Sequence, residues 1–221
     1  MALIDLPRAE LLEYKPSVRE PGDFDSFWAA TLAEARSFNL GVTCVAVETP
    51  YPEIAVCDVS FSGFGGDRIG AWLTLARSAD RPRPAVVEFI GYGGGRDLPG
   101  ESLYWACAGY AHLLVDTRGQ GSVWGGGGST PDPHGNGPSV PGFTTRGLER
   151  REDCCYGRVF TDGVRAVEAA RQLPGIDRDR IAVTGPSQGG GIALPVAGLV
   201  PDISAAMPDV PFLCHFVQPA D

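Results

Sequence analysis

At 221 residues, 43% hydrophobic and 20% charged, the chain has the length and composition to bury one sizeable globular core. Its net charge of -9 argues against nucleic acid and anionic membrane as partners, because both recruit a basic face. No apolar run reaches the roughly 18 residues that a bilayer span needs, and Asp5 stands where a secretory signal would carry positive charge, so the expected location is cytoplasmic.

Residues 23–37 are predicted to form an amphipathic helix, capped by Asp23 or Asp25, with Phe24, Phe27, Trp28, Leu32 and Ala35 on one face. Three strands follow over 42–48, 54–61 and 69–76, and the glycine-rich turn 62–67 joins the last two as a hairpin. This opening reads as antiparallel. After position 84 the pattern alternates: a strand over 85–90, a short helix near 102–109, a strand over 111–116, and a helix over 154–173 ended by Pro174-Gly175. A strand leading to Gly185, a helix from Gln188 to about Val200 and a last strand near 203–208 complete the order. Alternating units of this kind predict one α/β domain over residues 1–221, with a mostly parallel sheet and helices on both faces. The glycine- and proline-rich stretch 117–150 is longer than an ordinary connection, and such loops are usually functional or form interfaces. The six cysteines form no C-x-x-C pair, so buried thiols are expected rather than disulfides or a zinc site.

Gly185-Pro186-Ser187-Gln188-Gly189 lies between an apolar strand and a helix, the setting of a nucleophile elbow. A serine thrust outward on a tight turn needs small residues two before and two after, and Gly185 and Gly189 supply them. Gly190 and Gly191 are expected to let the helix approach the sheet. The helix N-terminus would aim the Gln188 N–H at a developing oxyanion, and Gly91-Tyr92-Gly93-Gly94-Gly95 would contribute a second donor at the Tyr92 N–H. A dinucleotide-binding turn is the rival reading of that loop, but Arg96 stands where its last glycine is required.

Three segments together resemble carbohydrate esterase family 7, the acetyl xylan esterases and cephalosporin C deacetylases. They are Asp116-Thr117-Arg118-Gly119-Gln120-Gly121-Ser122, Gly185-Pro186-Ser187-Gln188-Gly189-Gly190-Gly191 and Asp209-Val210-Pro211-Phe212-Leu213-Cys214. The resemblance implies an α/β-hydrolase fold and a serine esterase that removes acetyl groups from xylo-oligosaccharides and cephalosporin-type esters. It implies an intracellular, often hexameric protein without metal or cofactor. On it Ser187 is the catalytic nucleophile, and Tyr92 and Gln188 form the oxyanion hole. Pro211 and Phe212 line the acyl pocket, and Arg118 and Gln120 form a structural motif that braces the elbow and nearby loops. The sequence departs from the pattern in the triad. After Ser187 it offers only Asp202, Asp209, Asp221 and His215, and none matches the family's acid and base, nor do His112 and His134. The expectation is therefore that a complementary C-terminal segment carries the Asp and His, and that this chain alone is inactive. The alternative is a catalytically silent hydrolase-fold subunit acting in assembly or ligand binding.

Overall fold

The protein is described by a computed structural model covering residues 6–77, 81–121, 123–134 and 142–214. Helix α1 (Arg8–Glu13) buries no residue, and without an apolar face it leaves no periodic trace in the sequence. Helix α2 (Phe24–Ser37) begins at Asp23, whose carboxylate pairs with Arg151 instead of capping the helix. Only Leu32 and Ala35 of its apolar stripe are buried. Phe24 stays exposed at the rim of a groove of about 340 Å³ that Trp28 and Leu32 share with Pro195 and Leu199.

Strands β1 (Thr43–Val47), β2 (Ile54–Ser62) and β3 (Arg68–Ala76) run antiparallel, and a single helical turn at Phe64–Gly66 closes the β2–β3 hairpin. Next come β4 (Arg83–Phe89), the one-turn helix α3 (Tyr104–Cys107), β5 (Ala111–Val115), α4 (Cys155–Ala170), β6 (Ile176–Pro186), α5 (Gln188–Leu199) and β7 (Ala205–Asp209). Among the described residues the sheet has seven strands, in the order β1-β2-β3-β5-β4-β6-β7. β3 meets β5 antiparallel, and the β5-β4-β6-β7 half is parallel throughout, so the sheet is mixed.

The period-2 alternation of the strands assigns the two faces. Val59, Phe61, Ala71, Leu73, Val87, Phe89, Leu113, Val115, Ile181 and Val183 point to one side, where Leu32 of α2 and the apolar faces of α4 and α5 cover them. Each fully buried side chain of this kind contributes about 1.5–3 kcal/mol. The opposite face carries Val56, Trp72, Val86 and Ala182, and α3 is the helix against it. A cavity of about 310 Å³ opens there, walled by Val86, Trp105, Tyr110, Ala182, Ala205 and Met207.

β4 is the strand from which the order reverses: its successor β5 lies on one side and β6 on the other. In an open α/β sheet such a switch point leaves a crevice at the C-terminal strand ends. Glu88 pairs with Thr184 across β4 and β6, so the glycine loop after β4 and the serine turn after β6 emerge side by side.

Candidate active site

Ser187 sits between β6 and α5 with φ 51° and ψ -114°. A non-glycine residue in this conformation is strained by about 1–3 kcal/mol and persists only where its surroundings enforce it. They do so here. The Ser187 N–H donates to the Asp209 carbonyl at 2.9 Å, and its own carbonyl accepts from Gly191 at 3.0 Å and Phe212 at 2.9 Å. The side chain caps nothing in α5, which leaves its hydroxyl available at a partly exposed position. The glycines follow from sterics. A Cβ on Gly189 would stand 2.0 Å from the Phe89 carbonyl oxygen, and one on Gly185 would stand 2.4 Å from the same atom. Gly190 does let the helix approach the sheet, since a Cβ there would stand 2.9 Å from the Gly185 carbonyl oxygen of β6 and 3.1 Å from the Asp209 carbonyl oxygen of β7. Gly191 makes room for the loop after β7, where a Cβ would meet the Phe212 carbonyl oxygen at 2.0 Å. Pro211 and Phe212 are thereby laid against the start of α5, with Phe212 46% exposed. Val210 and Leu213, both at positive φ, mark this loop as tightly folded.

Gln188 opens α5, so its N–H has no carbonyl within the helix to meet. Its side chain is fully buried. There its Oε1 accepts from the Tyr156 hydroxyl at 2.8 Å and from Gln120 Nε2 at 3.0 Å, and its Nε2 donates to the Ile90 carbonyl at 3.3 Å. Gln120 Oε1 in turn accepts the Gly93 N–H at 2.7 Å. Two amide side chains thus tie the loop after β4 to the first turn of α5. The Tyr92 hydroxyl accepts from Gly142 and Phe143 N–H at 2.6 and 3.0 Å, which pins the far end of the long loop to the same place.

Arg118 acts elsewhere. Its guanidinium, 1% exposed, grips Asp162 of α4 bidentately, reaches Asp67 at 3.0 Å and Asp132 at 3.4 Å, and touches no elbow residue. The bracing of the elbow belongs to Gln120, and Arg118 locks the β2–β3 turn, α4 and the segment around Asp132 together. Burial works against the Arg118 charge, but the Asp162, Asp67 and Asp132 carboxylates outweigh it and raise its pKa. Asp132 also faces Arg158 at 2.7 Å and Arg146 at 3.4 Å. Burial alone would lift its carboxyl, yet Arg158, Arg118 and Arg146 hold it below the ordinary range.

The two described histidines are engaged away from Ser187: His112, fully buried, lies 3.0 Å from Glu88, and His134 lies 2.7 Å from Asp67. Asp202 pairs with Arg171, and Asp209 meets the elbow through its backbone. His215 and Asp221 lie outside the described residues. Tyr156, Asp132, Asp162 and Arg158 carry no local sequence signal for their roles, because the side chains they pair with lie 14–44 positions away.

A strained serine between strand and helix, a glycine loop beside it and a switch-point crevice on a sheet of this order define the α/β-hydrolase fold. Within that class the chain belongs to the acetyl xylan esterase (AXE1) family, whose model it matches over residues 1–220. It is 36% identical to an acetyl xylan esterase from Paenibacillus sp. R4, with a TM-score of 0.86 over 96% of this chain and 66% of the other. Acetyl xylan esterase 1 from Thermoanaerobacterium sp. JW/SL YS485 is 30% identical, with a TM-score of 0.84 over 95% and 64% of the two chains. The acetyl esterase Axe7A of Xylanibacter ruminicola is 29% identical over 90% of this chain and 45% of its own length. The chain thus spans just under two thirds of the solved relatives and about half of Axe7A. No helix among the described residues is long and apolar enough to cross a membrane.

Proposed function

We propose that this chain supplies the nucleophile and oxyanion hole of a serine carboxylesterase that removes acetyl groups from acetylated xylo-oligosaccharides and cephalosporin-type esters. The observation that carries the reading is the strained Ser187 with an uncapped hydroxyl, held beside the glycine loop by the Gln120–Gln188 amide pair. In the proposed reaction the Ser187 oxygen attacks the acetyl carbonyl while a histidine takes its proton, and the Tyr92 and Gln188 N–H groups receive the oxyanion. The alcohol leaves with that proton, and water then releases acetate from the serine. Each oxyanion donor contributes about 10²–10³ in turnover. Pro211 and Phe212, packed on the elbow, would bound a small acyl group.

The histidine and its orienting aspartate are assigned to a complementary segment corresponding to the relatives' remaining third. Such a segment has a surface to occupy: the outer edge of β7, whose residues are mostly exposed, and the apolar cavity on the α3 face. A cytoplasmic hexamer remains part of the proposal through family resemblance. The test is acetyl-ester turnover by the purified chain, with its mass verified. The proposal expects background rates from the 23.3 kDa chain alone. Robust turnover abolished by a serine-directed reagent, with no companion polypeptide present, would sink the assignment of the base to another segment.

A further inference from the structure

Four of the five residues after Ile90 are glycine, so the oxyanion loop has almost no side chains with which to hold its own shape. Its conformation must be imposed from outside. Gln120 does this from the buried side by accepting the Gly93 N–H. From the open side, the Trp124 indole Nε1 donates to the Tyr92 carbonyl at 2.6 Å. That carbonyl and the Gly93 N–H belong to one peptide unit, which is therefore clamped at both ends. The indole ring lies against the loop as well: a Cβ on Gly94 would stand 2.6 Å from it, and one on Gly91 would stand 3.3 Å away. Val123 N–H donates to the Gly93 carbonyl at 3.3 Å.

Behind the tryptophan, the run Gly125–Gly128 fits backbone to backbone against Gly95 and Gly121, with a Cβ on Gly95 meeting Gly126 O and Gly128 N at 2.4 Å. Asp97 N–H donates to the Gly126 carbonyl at 2.8 Å, and Gly126 N–H donates to Asp97 Oδ1 at 3.1 Å. The two loops are consequently one unit. Trp124 is 50% exposed, far more than a ring placed to fill a core.

We propose that Trp124 is a positioning residue for the oxyanion donor: its indole N–H fixes the Tyr92–Gly93 peptide from the open side and its ring lies against Gly91, so the intervening Gly91–Tyr92 peptide, which carries the Tyr92 N–H, is held between the two contacts. The proposal rests on the reading of that N–H as a donor to the oxyanion. Trp124 lies outside the three segments that carry the resemblance, 116–122, 185–191 and 209–214, and it acts through Tyr92 rather than on the substrate.

Amide NMR of the ¹⁵N-labelled chain tests this without requiring turnover. Trp124→Phe keeps a ring and removes the donor. Trp72→Phe is the control, since its indole donates to the Asp97 carbonyl at 3.0 Å, further along the same loop. Loss of one hydrogen bond is worth about fivefold in a local opening equilibrium. Trp124→Phe is therefore expected to speed Gly93 amide exchange about fivefold and to move the Tyr92 amide resonance, while Trp72→Phe leaves both in place. Benzothienylalanine at position 124, which keeps the bicyclic shape without the N–H, gives the same result and stands in if the phenylalanine variant does not fold. Sodium acetate, the product of the proposed reaction, moves the Tyr92 and Gln188 amides in the unsubstituted chain, and its effect at Tyr92 falls several-fold without the indole donor. Unchanged Gly93 exchange and an unmoved Tyr92 resonance without that donor, or equal changes in Trp72→Phe, overturn the positioning role. Acetate that moves neither amide in the unsubstituted chain counts against the oxyanion reading instead, and the exchange rates still decide the role of Trp124.

Discussion

Replacing Gln120 with alanine removes three hydrogen bonds at once: to the Gly93 N–H at 2.7 Å, and the reciprocal pair with Gln188 at 3.0 and 3.2 Å. The damage is unequal. Gln188 keeps the Tyr156 hydroxyl and the Ile90 carbonyl, whereas the buried Gly93 N–H loses its acceptor. An orphaned buried donor costs about 1–3 kcal/mol, and each remaining net hydrogen bond adds about 1 kcal/mol. The expected loss is therefore about 3 kcal/mol, which for a domain of this size lowers Tm by roughly 6–12 °C. Thermal unfolding followed by circular dichroism measures it. A double-mutant cycle with Gln188→Ala then separates the pair from the surroundings, with an expected coupling of about 1–2 kcal/mol. A Tm within about 1 °C of the unsubstituted protein, or strictly additive effects, would refute the bracing of the elbow by Gln120.

Gly189→Ala places a methyl group 2.0 Å from the Phe89 carbonyl oxygen, a contact that only backbone movement can relieve; the variant is expected to lose several kcal/mol, about 3 or more, or to be recovered unfolded, as judged by soluble yield and denaturant midpoint. Asp132→Asn leaves the buried Arg158 guanidinium without its forked carboxylate and is expected to cost about 3 kcal/mol at pH 7. Because the folded state holds the Asp132 carboxyl below its ordinary 3.8, its contribution is complete above that pH and is lost as the pH falls through the lower folded value; the gap between the two proteins in urea titrations should close there. Alkylation at pH 8 should modify exposed Cys107 and Cys214 first. Burial pushes the Cys155 thiol up to about 11, and burial with Cys57 close by pushes Cys44 up to about 12, so mass spectrometry should find both unmodified until the chain unfolds.

The parts of the site that were legible in sequence are those whose chemistry is local. Gly185 and Gly189 must be small because of the turn on which Ser187 sits, and that requirement is written within five residues. The strand–helix alternation after position 84 likewise made the parallel half of the sheet legible, whereas the adjacency of β4 and β6, which brings the glycine loop beside the elbow, came from the strand order. What escaped were roles decided by distant partners. Tyr156 lies 32 positions from Gln188, and Trp124 lies 32 positions from Tyr92. Arg118 was legible as part of a motif, but its partners Asp67 and Asp162 lie 51 and 44 positions away, so the elements it joins were not. Asp23 shows the same effect in miniature: its spacing suits a helix cap, and Arg151, 128 positions on, takes its carboxylate instead. Phe24 shares the helical spacing of Leu32 yet stays exposed at the rim of the groove between α2 and α5, a difference that periodicity cannot encode.

In the proposed function Ser187 is the nucleophile and a complementary segment supplies the acid and the base. The decisive measurement is acetate release from an acetylated xylo-oligosaccharide by the chain mixed with the C-terminal third of an acetyl xylan esterase relative. Turnover is expected from the mixture, with background rates from either part alone and a loss of at least about 10³-fold on Ser187→Ala. Turnover that survives Ser187→Ala would contradict the role of Ser187.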